Sequence, residues 1–512
     1  MSIYIIAFDL GTGGNKASIY DTKGNCLCSH FESYNTIFPE PNWHEQRPED
    51  WWNAVVKSTK VLIEKSGINK NEIKYLAISG HSMAAVPVDE RGTLLRDTVP
   101  IWSDMRAIKQ TERFFEKINY SDWYKTTGNG FSRECYSTFK VMWYKENEPE
   151  VFKNIYKVIG TKDYINLKLT SKILTDNSYA SGSGVYDLKN RKYKKEFIEA
   201  SGLTETIFPE IVSSHTPIGI ILPEIAELMN LPKDLTVMAG GVDNSCMALG
   251  AGNIREGKVY LSLGTSAWIA VSSENPIIDE KIKPFVFDHV VPGLYTSATS
   301  IFSAGNSFRW LGDVICQSYK EGAQASGRNF YDLLVDMAME SPIGANGIVF
   351  NPSLAGAPAA YPGENVKGAF LGLELRNNLS DIIRSVLEGI TMDLCLMYRK
   401  LKNICNIDND VVIVGGGSKN SHWCQIFADI FNTTFTKINT DQDAASLGAA
   451  AIAAVGAGIW KDYSEIEKVI KKTEMIEPNN ENVLKYEKLL EAHYEIIKLL
   501  SEIGIIMKNV EN

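Results

Sequence analysis

Apolar residues gather in short runs over 3–8, 16–20 and 26–33, separated by small polar turns, a pattern that predicts a strand meander at the start of the chain. Over 51–66 they recur at helical spacing, and 73–79 returns to a short apolar run that reads as a buried strand. Helical spacing prevails from 104 to 147. A strand over 237–239 then runs into Gly240-Gly241-Val242-Asp243. After this the grammar restarts. Strands are expected at 259–262 and 268–271, helices at 306–311, 379–401 and 423–431, and one or two helices over 483–507. Between them a strand at 411–414 enters Gly415-Gly416-Gly417. Two similar passes of strands and helices predict an α/β protein of two lobes with mixed sheets and a common ancestral plan. The seam falls around 243–253, giving halves of 1–248 and 249–512.

Composition narrows the class. A chain of 512 residues exceeds one ordinary core, and 44% hydrophobic with 22% charged residues is that of an ordered globular protein. A net charge of −10 argues against a nucleic-acid or anionic-membrane partner. The eight cysteines show neither a CxxC pair nor a zinc spacing, which fits a reducing compartment. The start of the chain lacks the pattern of a signal peptide, since Asp9 interrupts its apolar run. The low-polarity stretch 444–460 is mostly Ala and Gly, and reads as a close-packed helix rather than a membrane span. A cytoplasmic protein is expected.

One turn occurs twice. Phe8-Asp9-Leu10-Gly11-Thr12-Gly13 is echoed by Leu261-Ser262-Leu263-Gly264-Thr265-Ser266, each closing a strand and reopening into another. Two such turns can grip a polyphosphate through backbone N–H groups. Only the first carries an acid. Asp9 can hold a magnesium ion, largely through water, while Thr12, the Gly13 amide and the Lys16 point charge reach a terminal phosphate. A lone Gly-Thr-Gly would read as an ordinary hairpin; its echo favours phosphate. The segment 252–259 mimics a P-loop up to Lys258, but continues with Val259 where Ser or Thr is needed and precedes a strand.

Other segments carry chemistry against plainer alternatives. Asp243, after a strand and two glycines, suits a general base for a hydroxyl attacking phosphorus; as an N-cap of the following helix it is equally well explained locally. Gly415-Gly416-Gly417-Ser418-Lys419-Asn420 lets backbone lie against a nucleotide ahead of a helix N-terminus, the alternative being a loop capped at Ser421. Gly80-His81-Ser82-Met83 and Trp102-Ser103-Asp104-Met105-Arg106 form a second pocket suited to a sugar, with Trp102 as flat surface and Asp104 as acceptor. A structural ion pair between Asp104 and Arg106 competes with that role.

Together these residues resemble the FGGY family of carbohydrate kinases, within the actin, Hsp70 and sugar-kinase superfamily. The motifs at 9–16, 261–267 and 411–420 are similar to its two phosphate motifs and its adenosine motif, in family order. Trp43-His44-Glu45-Gln46-Arg47-Pro48 resembles a further family segment. The most specific match is Gly368-Ala369-Phe370-Leu371-Gly372-Leu373 followed by Asp381 to Glu388, similar to the C-terminal family signature; the earlier signature near Lys140-Val141-Met142-Trp143 matches less fully. The resemblance implies two ribonuclease H-like (actin-like ATPase) domains with a cleft between them. It also implies an ATP-dependent sugar kinase with Asp243 as base and Mg²⁺ near Asp9 and Asp243. ATP is placed along Thr12, Gly264, Thr265, Gly305, Arg309, Gly416, Gly417 and Asn420. Ser82, Met83, Trp102, Asp104 and Asn244 become sugar contacts, with Trp268 a weaker one. Homodimers are common in the family.

A pentulose such as D-xylulose is the expected acceptor. Members acting on xylulose or gluconate typically carry Met-His where this chain has Ser82-Met83, so L-xylulose, a polyol such as erythritol, gluconate and autoinducer-2 stand as alternatives. A non-catalytic sugar-responsive regulator would have lost Asp9, Asp243 or a Gly-Thr turn. A chaperone- or actin-like ATPase would lack the 80–106 loops and the 368–388 signature.

Overall fold

The computed structural model describes residues 2–301, 303–356 and 366–511. Strands β1 (Tyr4–Gly11), β2 (Gly14–Asp21), β3 (Cys26–Ser33), β4 (Ile73–Gly80), β5 (Pro217–Ile220), β6 (Thr236–Met238) and β7 (Gly241–Val242) make the first sheet. Its order is β5-β6-β4-β1-β2-β3, with β7 also pairing β4. The second sheet holds β8 (Val259–Leu263), β9 (Ala267–Ser273), β10 (Phe285–Asp288), β11 (Tyr295–Ile301), β12 (Asp410–Val414), β13 (Thr434–Ile438) and β14 (Lys472–Ile476). They run β10-β11-β9-β8-β12-β13-β14.

The two sheets share one plan. In the first, β3-β2-β1 is antiparallel, β1-β4-β6 parallel, and β5 closes antiparallel. In the second, β11-β9-β8 is antiparallel, β8-β12-β13 parallel, and β14 closes antiparallel. The Gly-Thr hairpins β1–β2 and β8–β9 are therefore topological equivalents, and so are the strands β4 and β12 that lead into Gly80-His81 and Gly415-Gly416. This is the mixed α/β architecture that the repeated pattern implies.

The helices that position the site are α1 (Pro48–Ser66), α2 (Thr161–Thr170), α3 (Asp243–Gly250), α4 (Gly305–Trp310), α5 (Phe330–Met339), α6 (Leu379–Lys402), α7 (Ser421–Phe431), α8 (Ala444–Gly456) and α9 (Asn480–Glu511). Pro48 opens α1 and Gly67, at φ +64°, ends it; its Trp51, Val55 and Leu62 bury against one face of the first sheet. The other face of that sheet is covered from the second half of the chain. Leu447, Ile452 and other α8 residues pack with Ile5, Ala7 and Ala77 of the sheet and with Leu249 of α3. Helices α3 and α8 touch through reciprocal glycines. A Cβ on Gly250 would lie 1.8 Å from the Ala444 carbonyl oxygen, and one on Gly448 2.0 Å from that of Cys246. The Ala- and Gly-rich composition of α8 thus serves close backbone packing between the halves. No helix among the described residues is long and apolar enough to cross a membrane.

The helical region 104–147 resolves into α-helices at Ile108–Phe115, Tyr120–Thr127 and Ser137–Asn147 and a 3₁₀ turn at Arg133–Cys135. Strands β5, β10, β11, β13 and β14 had no counterpart in the sequence pattern.

Candidate active site

Both candidate carboxylates sit at the carboxyl ends of parallel strands, the edge where open α/β sheets bind ligands. Asp9 on β1 pairs with Ser79 on β4, and Ser79 also faces Gly241 on β7, two residues before Asp243. Ser79 Oγ donates to Asp9 Oδ1 at 3.2 Å. Burial pushes the Asp9 carboxyl up to about 6 against the lowering effects of Ser79 and Lys16. Burial, and then the charge of Asp9, pushes Asp243 up to about 7. Asp243 is the first residue of α3, and the N-cap position belongs to Val242, which has no side chain to cap with. The carboxylate accepts the adjacent Asn244 N–H, at 2.8 Å. It stands at the first helical position rather than at the N-cap, and from there holds one N–H of the first turn. Two carboxylates held up by burial, with Asp443 adding to the effect on Asp9 and Asp9 to that on Asp243, form a site that suits positive charge. Mg²⁺, which takes one or two carboxylates and keeps several waters, fits that donor set.

A cavity of about 370 Å³ opens beside the second Gly-Thr turn. Gly264, Thr265, Gly305, Arg309, Gly416, Gly417 and Asn420 all line it. The turn is fixed from below. Gly305 N–H donates to the Gly264 carbonyl at 3.1 Å and Asn306 N–H to that of Thr265 at 3.0 Å. Gly415, at φ +99°, lies so close that a Cβ would stand 2.8 Å from the Leu263 carbonyl oxygen, whereas Gly416 faces open space. Asn420, rather than Ser421, caps α7, accepting from His422 and Trp423 N–H groups while its Nδ2 reaches Asp332 at 2.9 Å.

Sequence reasoning passed over the aromatic wall of this cavity. Phe308, Tyr331 and Trp423 line it, with Phe308 5.4 Å from Tyr331 and 5.3 Å from Trp423 between ring centroids. The available signal was Asn329 followed by Phe330-Tyr331, a capped amphipathic helix with an aromatic in its first turn.

Thr12, Gly13 and Lys16 lie on the first hairpin, outside this cavity. Gln46 Nε2 holds the Thr12 carbonyl at 2.7 Å, and the Gly13 carbonyl accepts from Tyr34 N–H at 3.3 Å. Lys16 reaches across to the second half, donating to the Gln442 carbonyl at 3.0 Å and pairing with Asp443. In this arrangement its ammonium is occupied by protein.

The acceptor loops follow β4. Met83 is buried in the left-handed region at φ +57°, a conformation a long side chain holds only when its surroundings impose it. Lys140 imposes it: its buried ammonium donates to the Met83 carbonyl at 3.0 Å and to that of Ile101, just before Trp102, at 2.6 Å. Burial pulls that ammonium down to about 8. Burial also pulls His81 down to about 3, so its ring is neutral against the Trp51 edge. Ser82 and Asn244 are buried, and Tyr260 OH holds the Asn244 carbonyl at 3.0 Å. Trp102, Phe131, Phe285 and Phe287 form a chain of tilted and edge-on rings, and the Trp268 indole N–H is buried beside the Tyr260 hydroxyl. Asp104 departs from the sugar-contact expectation. Wholly buried, it accepts from His44 N–H at 2.7 Å and from three N–H groups of Arg106 at 2.8–3.1 Å. With every acceptor position occupied, it serves the structural ion pair.

Among the described residues no group of three or more His, Cys, Asp or Glu side chains converges as a metal cage.

Comparison with known proteins bears on the family and the fold. The family model for the N-terminal domain of FGGY carbohydrate kinases matches residues 4–250, and that for the C-terminal domain matches 259–457. A xylulose kinase of Staphylococcus xylosus is 31% identical over 495 residues, covering 96% of this chain and 99% of the relative. Among solved structures, a ligand-bound xylulose kinase from Lactobacillus acidophilus superposes with a TM-score of 0.87 at 25% identity, over 97% of this chain and 98% of that one. A gluconate kinase from the same organism gives 0.88 at 25% identity, over 98% and 99%. With models for both halves matched in order, the chain belongs to the FGGY family of carbohydrate kinases and is a sugar kinase.

Proposed function

We propose that this kinase transfers the γ-phosphoryl group of ATP to a hydroxyl of D-xylulose or a closely similar uncharged pentulose. The observation that carries the reading is Asp243, a carboxylate raised to about 7 that follows directly on β7, whose Val242 pairs with Gly80 at the head of the 80–106 loops. A base near neutral pH is suited to accept a hydroxyl proton as the oxygen attacks phosphorus. The new O–P bond forms, the bond from phosphorus to the bridging oxygen breaks, and ADP leaves with that electron pair. Thr12 and Gly13 on one side, and Gly264 and Thr265 on the other, are assigned to the phosphates. Gly416, Gly417, Asn420 and Arg309 are assigned to the nucleoside end, with Trp423 and Tyr331 as apolar walls. A magnesium ion held by Asp9 and Asp243 would neutralise phosphate charge when bound.

The acceptor loops favour a neutral sugar. Their two buried cations are committed to protein groups: Arg106 to Asp104 and to Glu45 at 2.6 Å, and Lys140 to two backbone carbonyls. Among the described residues both cations are engaged by protein groups, which leaves an aldonate carboxylate less to pair with and weighs against gluconate. The full-length similarity to enzymes named xylulose kinase supports the ketose.

The test is sugar-dependent ADP release by the purified protein with D-xylulose, L-xylulose, erythritol, D-gluconate and autoinducer-2. D-xylulose is expected to give the highest kcat/KM. Preference for gluconate would overturn the neutral-acceptor argument, and no release with any sugar would favour a regulator.

A further inference from the structure

The loop that presents Asp243 is braced from behind by charged groups that no family motif above contains. Lys162, in the first turn of α2, is wholly buried. Its ammonium lies 2.5 Å from Asp163 Oδ1 and 3.0 Å from Asp176 Oδ1, and donates to the Ala239 carbonyl at 3.2 Å. Asn166, one turn along α2, donates to the same carbonyl at 2.8 Å. Asp176 Oδ2 accepts from Ser178 N–H at 3.0 Å, Ser178 Oγ at 2.5 Å and Ser214 Oγ at 2.8 Å. Ser178 Oγ in turn accepts from Val242 N–H at 2.9 Å, the residue immediately before Asp243.

One buried ion-pair network therefore holds both ends of the segment 239–242. Between the two anchors stand Gly240 and Gly241, the first at φ +76°. Two glycines give that segment little stiffness of its own, so its position must be imposed from outside. The approach is itself built in: a Cβ on Gly80 would lie 2.8 Å from Lys162 Cβ, so the end of β4 is kept bare to admit α2. Burying an ammonium and two carboxylates is costly unless they are mutually paired, and such networks fix one arrangement more surely than they add stability.

We infer that Lys162, Asp176 and Ser178 are positioning residues for the general base, holding the Asp243 carboxylate at the distance and angle that proton transfer needs. The inference rests on Asp243 being that base. Displacement of a base by about 1 Å can cost about a hundredfold in rate without affecting binding, so the signature is a loss in kcat with KM retained.

Four variants test it in full-length enzyme. Ser178→Ala removes the anchor on Val242, Lys162→Met removes the cation, and Asp243→Ala serves as reference. Expected for Ser178→Ala is a fall in kcat of about tenfold or more, with KM for ATP and sugar within about twofold and a melting temperature near that of the parent. Lys162→Met leaves two buried carboxylates unneutralised and is expected to lose stability; Asn166→Ala, which removes only one donor to Ala239, supplies the milder second anchor and should also lower kcat selectively. Parental kcat in both Ser178→Ala and Asn166→Ala, with Asp243→Ala inactive, would overturn the positioning role while leaving the base intact. An active Asp243→Ala would overturn the base and the positioning role together. A loss of kcat that follows the folded fraction alone would make the network structural only.

Discussion

The Trp102 indole donates a 2.9 Å hydrogen bond to the hydroxyl of Thr12. A side chain on the loop proposed for the sugar thus grips the turn proposed for the phosphates, so one bond joins the two proposed sites. Trp102→Phe keeps most of the ring and removes the donor; Thr12→Val removes the partner. A neutral hydrogen bond of this kind is worth about 1 kcal/mol, about fivefold in kcat/KM. Each single variant is expected to lose about that much, and the double variant no more than either. Steady-state kinetics of the four proteins measure the coupling. Fully additive losses would mean that the bond does not act as a unit.

Asp243 and Asp9 give stability a pH dependence of definite sign. Both carboxyls are raised in the folded protein, to about 7 and about 6, from 3.8. The folded state therefore holds their protons more tightly than the unfolded chain. The stability this confers is complete below about pH 4 and is lost as pH rises through about 6 to 7. Asp243→Asn removes the penalty of the ionised form. It is expected to melt above the parent at pH 8 and to converge with it near pH 4. Turnover should fall by about 10²–10⁴-fold in the same variant. Thermal melts at the two pH values, beside a rate assay, decide it; a variant less stable at pH 8 would contradict the electrostatic origin.

Lys16 and Asp443 bridge the halves with both side chains partly exposed, 22% and 31%. Such a pair contributes at most about 1 kcal/mol to stability, so its weight lies in where it holds Lys16. If the ammonium leaves Asp443 for a phosphate oxygen, the two partners act oppositely on nucleotide binding. Lys16→Met is expected to raise the KM for ATP. Asp443→Asn, which removes the competitor, is expected to lower it by about twofold to fivefold. Changes in the same direction would mean that the pair serves only to join the halves.

How much of this was legible depended on what each strand buries. The Gly-Thr hairpins were readable because β1 and β8 are central strands whose apolar runs end in conspicuous turns. The sequence pattern missed β11, which spells Tyr-Thr-Ser-Ala-Thr-Ser-Ile: its buried positions are mostly hydroxyls, so no apolar run marks it. It missed β14 for the opposite reason, four of its five residues being exposed at a sheet edge. At the site, glycine-rich segments announced the phosphate turns and the Asp243 loop. The network behind that loop went unread because Lys162-Asp163 and Asp176 are charges within otherwise ordinary segments, and only the fold brings them beneath Ala239. The choice between sugar contact and structural ion pair at Asp104 is not legible in sequence, because an open acceptor and one already engaged by Arg106 and His44 look alike there.

The contrast between Gly415 and Gly416 separates what the glycine loop does for the fold from what it does for the nucleotide. Gly415 has φ +99° and no room for a Cβ against Leu263, so Gly415→Ala strains the loop and should lower the melting temperature. Gly416 has neither constraint: its Cβ would meet nothing within 4 Å, and its backbone lies outside the left-handed region. Alanine there reduces the freedom of the unfolded chain, worth about 0.4–1 kcal/mol in favour of folding. The methyl group, however, projects into the cavity lined by Arg309, Tyr331 and Asn420. Gly416→Ala is therefore expected to keep or raise the melting temperature, to raise the KM for ATP by about tenfold, and to leave the sugar KM unchanged. A thermal melt and two substrate titrations of one protein give all three numbers. Unchanged ATP kinetics in a fully folded variant would place the nucleotide away from this cavity.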